Sequence, residues 1–429
     1  MRTMRRTATA IALLAFASMA GAQTSGVVRN GPLPAPLPLF PAGNWWNIDI
    51  SAAPVDPNSA SFINMIGPTR GMHPDLGGDA DPSPSIYGMP FVVVPGSTPM
   101  EQVTFEYADE SDYQAPGRPP GYPIPVQIRT EPKWIEGGQP GGGDEGDRHL
   151  LIVDRDNRIL YELYATRWTG THWEGGSGAI FPLDSNQRRP DGWTSADAAG
   201  LAILPGLIRY DEVYGTEPIR HAFRVTVRST NGYVYPASHR AGNTAGALPM
   251  GARLRLKSSK DISGHAEPVR RIFQAMKTYG LIVADNGSDM YVTGTYDTRW
   301  DNDLLNPAFS SIKASDFEIV QLGWKPDEAP ACTRPAITSH PQPVSVRPRE
   351  IATLSASASG TMPVTWQWYR GASGNVSSPI TGASSSTLQI TATVTTTVWA
   401  RASNACGSDD TSAAQITVSP GGRKRPSRR

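Results

Sequence analysis

Cysteine is scarce: the 429 residues contain 2, Cys332 and Cys406. Nothing upstream of residue 332 can therefore be a thiol nucleophile or a zinc–thiolate site. His-Glu-x-x-His, Gly-x-Ser-x-Gly and phosphate-loop patterns are also missing, which removes the short signatures of zinc peptidases, serine hydrolases and nucleotide-binding folds. No apolar run approaches the roughly 20 residues that cross a bilayer. A basic face is lacking too, although Lys+Arg 39 balances Asp+Glu 39. Eight of the cations sit at the chain ends (Arg2, Arg5, Arg6, Arg423, Lys424, Arg425, Arg428, Arg429), leaving 31 basic against 39 acidic residues between them. A body near −8 does not suit nucleic acid.

What the sequence does have begins with an export signal. Arg2, Arg5 and Arg6 precede the short apolar run Ile11 to Met19, and Ala20-Gly21-Ala22 supplies small residues for cleavage before Gln23. A signal peptide over 1–22 and a secreted product, at the cell surface or beyond it, are expected. Gly 42 and Pro 39 make 81 residues, about 19%, against roughly 12% in average usage. That favours a loop-rich β protein over a helical bundle.

The expected divisions are a proline-rich lead-in (23–43), a large β-rich domain (44–323), a polar linker (324–332), a smaller β domain (333–419) and a basic tail (420–429). In the large domain His221, Phe223, Val225 and Val227 alternate with Arg224, Thr226 and Arg228, and Leu254 and Leu256 alternate with Arg253, Arg255 and Lys257. Period-two alternation of this kind predicts strands with one wet face. Phe91–Val94, Leu150–Val153 and Leu281–Ala284 are apolar throughout and belong in the centre of a sheet. Two hairpins are expected, one turning at residues 154–158 and one at Asp285-Asn286-Gly287-Ser288-Asp289, where Asn-Gly is the strongest short turn cue. A helix is expected over 267–279, stopped by Gly280, and a shorter one from Thr194, with Asp197 completing a capping-box-like pair. The fold class is mainly β: a β-sandwich-like large domain with one or two flanking helices, followed by a second sandwich.

The segment 333–419 has about 87 residues, short strands and a central tryptophan, which fit an immunoglobulin-like sandwich. Through Trp366-Gln367-Trp368-Tyr369 and Ala402-Ser403-Asn404-Ala405-Cys406-Gly407 it resembles the bacterial Ig-like domains appended to secreted proteins. Cys332 precedes the first strand, so a Cys332–Cys406 bridge would clamp the entry of the domain to a late strand; two free thiols are the alternative.

Carboxylates, histidines and aromatics are left to carry any chemistry of the large domain. Asp109, Glu110 and Asp112 follow a strand and are spaced for Ca²⁺, which takes oxygen ligands in flexible geometry; a solvated acidic loop is the plainer reading. Asp147, a candidate general acid, and His149 close a glycine-rich acidic loop, and His149 opens an apolar strand, where a hydrogen-bonded core histidine is as good an account as a catalytic one. Glu162 shares a strand face with Leu160 and Tyr164, an environment that disfavours the carboxylate and suits a general acid. An ion pair with Arg148 or Arg167 is its structural alternative. Asp211 and Glu212 are candidates for base or nucleophile. His221 reads as a core histidine, while His239, in a loop, is freer to act, and turn chemistry accounts for Asp285. Trp45, Trp46, Trp193 and Trp300 are candidate sugar platforms, although several of the tryptophans must be core.

Asp147-Arg148-His149, Trp193 through Gly200, Arg209–Val213 and Tyr279 through Gly287 together resemble a recurring set in secreted bacterial and fungal proteins of uncharacterised activity. The resemblance covers most of 40–322 and implies no catalytic assignment. Two readings stay open. One is a polysaccharide-acting hydrolase using paired carboxylates, since glycoside cleavage needs two carboxyl groups and a sugar platform. The other is a non-catalytic extracellular protein that binds a glycan, another cell-surface polymer or a protein.

Overall fold

The computed structural model describes residues 26–326, 334–360, 364–404 and 407–419. The chain forms two compact units, one ending at Trp324 and the other beginning at Lys325. The expected signal segment and the expected bridge between Cys332 and Cys406 lie outside the described residues.

The large unit is built on two sheets. The first orders Val28–Arg29, Phe91–Val94, Leu150–Asp154, Ile159–Tyr164 and Ser177–Pro182. Phe91–Val94 and Leu150–Asp154 run parallel, and the expected hairpin pairs Leu150–Asp154 with Ile159–Tyr164 from Asp154 opposite Ile159. Successive side chains of a strand point to opposite faces, and here both faces are buried. Phe91, Val93, Leu151, Val153 and Leu160 enter one core, whereas Val92, Val94, Leu150, Ile152 and Tyr161 enter another, packed with Val103, Phe105 and Trp173. This is why these runs carry no polar alternation.

The second sheet orders Phe317–Ile319, Arg253–Leu256, Leu281–Asn286, Phe223–Val227, Tyr291–Thr293 and His73–Asp75. Its Phe223, Val225, Leu254 and Leu281 share the first of those cores, which makes the unit a sandwich. The helix Glu267–Thr278 lies where its periodicity placed it, burying Val269, Ile272, Phe273 and Met276, and Gly280 follows with φ 76°.

Three local expectations fail. Leu281–Asn286 and Tyr291–Thr293 do not form a hairpin, because Phe223–Val227 lies between them, parallel to the first and antiparallel to the second. Gly287 N–H donates to Val227 O (3.1 Å) and Asn286 donates to Ala241 O (2.9 Å), so the Asn-Gly pair serves neighbouring segments rather than a two-residue turn. No helix starts at Thr194: residues 193–200 are irregular, and the Asp197 carboxylate binds Arg224 instead of capping a first turn. The wet face expected beside Leu254 and Leu256 is also buried. Arg253 donates to Trp45 O, and Arg255 pairs with Glu318 and donates to Ala53 O (2.8 Å), so the segment around 45–53 covers that face. Burial lowers the Arg253 guanidinium to about 10.

From residue 334 on, the regular elements among the described residues of the C-terminal unit are strands. One sheet orders Val344–Val346, Ala414–Val418, Thr396–Asn404 and Thr365–Arg370, with Gly407–Asp410 added on Thr396–Asn404, and Ile351–Ser355 pairs with Thr387–Thr391. Trp368 is fully buried among Leu354, Leu388 and Val398, and its indole N–H donates to Ser385 O (2.8 Å).

Candidate active site

A cavity of about 420 Å³ opens where ends of both sheets of the large unit meet. The glycine-rich loop before Leu150 supplies Asp147 and His149, and the far end of the hairpin's second strand supplies Tyr164. Asp285 and Asn286 come from the end of Leu281–Asn286, Thr194, Ser195, Ala196 and Ala198 from the irregular segment, and His239 from the next loop. Tyr107 and Glu110 form the remaining edge. The glycines of the first loop permit its close approach: a Cβ at Gly142, which has φ +95°, would stand 2.1 Å from Thr166 O.

Beneath the cavity lies a buried set of charges. Arg224 holds Asp197 by two hydrogen bonds (3.0 and 2.7 Å), donates to Thr293 Oγ1 (2.8 Å) and places Nη2 3.8 Å from Asp285 Oδ2. His149 Nδ1 bonds Glu136 Oε2 (2.7 Å), and its Nε2 bonds Ala196 O (2.9 Å). A carboxylate and a carbonyl only accept, so both ring nitrogens donate and the ring is an imidazolium. Burial alone would lower its pKa, but the Glu136 carboxylate raises it to about 9. His149 thus has no free nitrogen for a substrate. It is a fixed positive charge.

Asp285 differs from the groups below it because its side chain keeps 27% of its accessibility. Burial, then the Asp197 charge, push its carboxyl up to about 6 against the pull of Arg224. Asp147 is exposed on the rim. Tyr164 lies near both, since burial first and then Asp147, Tyr107 and Asp285 raise its phenol.

The remaining candidates are dispersed. Glu162 is fully buried, and its two oxygens accept from Ile203 N–H (2.7 Å) and Leu204 N–H (2.9 Å) at the start of the short helix Leu204–Gly206. Burial raises it to about 7, as its strand neighbours implied. It holds backbone, however, and lines no part of this cavity. Neither Arg148 nor Arg167 is its partner: Arg148 donates to Gly146 O and Arg167 pairs with Glu174. Asp211 and Glu212 line a separate cavity of about 290 Å³ that shares no residue with the first. There Glu212 binds Arg209 and His221 Nε2 (3.0 Å), and burial's upward push on its carboxyl yields to these two partners, so its pKa is lowered.

Of Asp109, Glu110 and Asp112 after Phe105, the last two are engaged in the fold. Asp112 accepts from Arg189 and from Ile180 N–H (3.0 Å), Glu110 accepts from Thr194 N–H (2.9 Å), and Asp109 is exposed. No group of three or more His, Cys, Asp or Glu among the described residues is placed to hold a metal ion. Trp45, Trp46 and Trp300 are 5%, 0% and 7% exposed, so they are core rather than platforms, and Trp193 is half-buried against Arg189. The exposed aromatic side chain at the cavity edge is Tyr107, at 44%. Sequence reasoning noted Glu136 only as one carboxylate of the glycine-rich acidic loop and gave Tyr107, Tyr164 and Arg224 no role at a site; the alternation around Arg224 pointed to solvent.

No family model matches the sequence, and no curated protein matches it. The resemblance to secreted bacterial and fungal proteins therefore rests on the quoted segments alone. Solved structures similar to part of the chain are immunoglobulin-domain proteins. Domains 1–5 of Sidekick-1 align at 22% identity over 20% of this chain and 20% of that one, with a TM-score of 0.18. A titin I-band fragment aligns at 21% over 20% and 33% (TM-score 0.17), and tandem Ig repeats of Dlar at 15% over 21% and 48% (0.18). The chain thus spans between a fifth and half of these structures. No helix among the described residues is long and apolar enough to cross a membrane.

Proposed function

We propose that the large unit is a secreted hydrolase of an extracellular polysaccharide, with Asp285 as general acid and Asp147 as a second carboxylate at the same cavity. The observation that carries this reading is the state of Asp285: partly accessible, at a cavity, and raised to about 6 by burial and by Asp197. A general acid works best with a pKa near the operating pH. Asp285 gives its proton to the leaving glycosidic oxygen, and Asp147 faces the positive charge that develops on the sugar ring. Tyr107 and Tyr164 offer aromatic faces at the same cavity.

The purified chain should release reducing sugar from at least one member of a broad glycan panel. Asp285→Asn should lower kcat by about 10²–10⁴-fold, the usual range for a positioned acid, and wild-type activity should fall as pH rises through about 6. Absence of release from every glycan overturns the reading. A non-catalytic glycan- or protein-binding role is the second reading, favoured by the location of Glu162, Asp211 and Glu212 away from this cavity. Saturable glycan binding without turnover would select it.

A further inference from the structure

We propose that His239, rather than a second carboxylate, is the base that activates water in this cavity. The inference rests on the hydrolase reading above. His239 lines the cavity together with Asp285. Its ring Nδ1 lies 2.9 Å from Ala198 O. A carbonyl oxygen only accepts, so Nδ1 carries the proton and Nε2 of the neutral ring presents a lone pair. That nitrogen has no partner among the described residues. Of the two cavity histidines, His149 has both nitrogens engaged and His239 has one free.

The surroundings hold the ring where the acid is. Ser238 N–H and His239 N–H both donate to Ala199 O (3.0 and 3.3 Å), and Ser238 Oγ donates to Trp193 O (2.9 Å). Ala199 N–H in turn donates to Ala284 O (2.9 Å), one residue before Asp285. The segment Ala198–Ala199 therefore ties the histidine loop and the acid-bearing strand to each other, which fixes catalytic groups better than independent loops would.

In the step that follows, a water oxygen bonds to the anomeric carbon as that carbon's bond to the glycosidic oxygen breaks. His239 Nε2 takes the water proton, and Asp285 gives its own to the departing oxygen. The charges left on imidazolium and carboxylate are neutralised when the proton returns through solvent.

Two measurements on the full chain test this. Long-range ¹H–¹⁵N correlation spectra of the wild-type protein should show His239 in its neutral form protonated at Nδ1. His239→Ala should lose about 10²–10⁴-fold in kcat, keep the wild-type thermal unfolding transition, and regain activity when free imidazole is added. A neutral ring protonated at Nε2 overturns the proposal, whether or not the variant folds. Glycan release that survives within tenfold in His239→Ala overturns it while leaving the hydrolase reading intact, and wild-type protein that releases nothing overturns both.

Discussion

The two units use the same kind of backbone and differ in what they bury. The large unit buries Glu162, His149, Asp197, Arg224, Arg253 and Arg255 among its strands, whereas Thr411 is the single buried polar side chain among the described residues of the C-terminal unit. The smaller sandwich places its clearest ion pair, Arg401 with Asp410, part-way to solvent, at 31% and 26% exposure. Burying charge is costly and is repaid only by close partners, so a domain that needs stability alone resembles the second unit. The concentration of paired charge beneath one cavity of the first unit is the pattern of a site whose carboxyls are tuned by their surroundings.

Three measurements would break or sharpen this contrast. The largest effect is expected for Arg224→Met, which leaves Asp197 charged and unpaired in the interior. Breaking a buried pair costs about 3–5 kcal/mol, to be read in the large unit's transition during urea unfolding of the full chain. The next concerns pH. His149 is raised to about 9 in the folded state, from 6.5, so its contribution is complete below pH 6.5 and is lost as pH rises through 9. Glu162, raised to about 7, acts in the same direction up to that pH. The large unit should therefore weaken between pH 6.5 and 9 by up to about 3 kcal/mol at the standard conversion, and His149→Gln should flatten that slope. The smallest effect is expected for Arg401→Met, whose half-exposed pair contributes about 0–1 kcal/mol. If Arg401→Met costs as much as Arg224→Met, the contrast between the units fails.

Much of the fold was legible in the residues, because burial in a sheet writes itself into local pattern. The apolar runs at 91–94, 150–153 and 281–284 became central strands, and the helix over 267–278 followed from its apolar face and Gly280. Asp147, His149, Asp285 and His239 were each noticed singly. Their convergence was not visible, because they lie as much as 138 positions apart in the chain and no spacing rule links groups brought together by two different sheets. Arg224, Arg253 and Arg255 misled for a related reason. Alternation reports which residues share a strand face, but not whether another segment later covers that face.

Composition and pattern by themselves determined a mainly β chain, the central strands and the long helix, since these depend on neighbours within a few residues. Tertiary structure alone decided that Phe223–Val227 would part the expected hairpin, that Trp45, Trp46 and Trp300 would be core, and that Glu162 would hold backbone while Asp285 faced a cavity. The physical reason is that protonation and role depend on desolvation and on nearby charge, and both are set by residues remote in sequence.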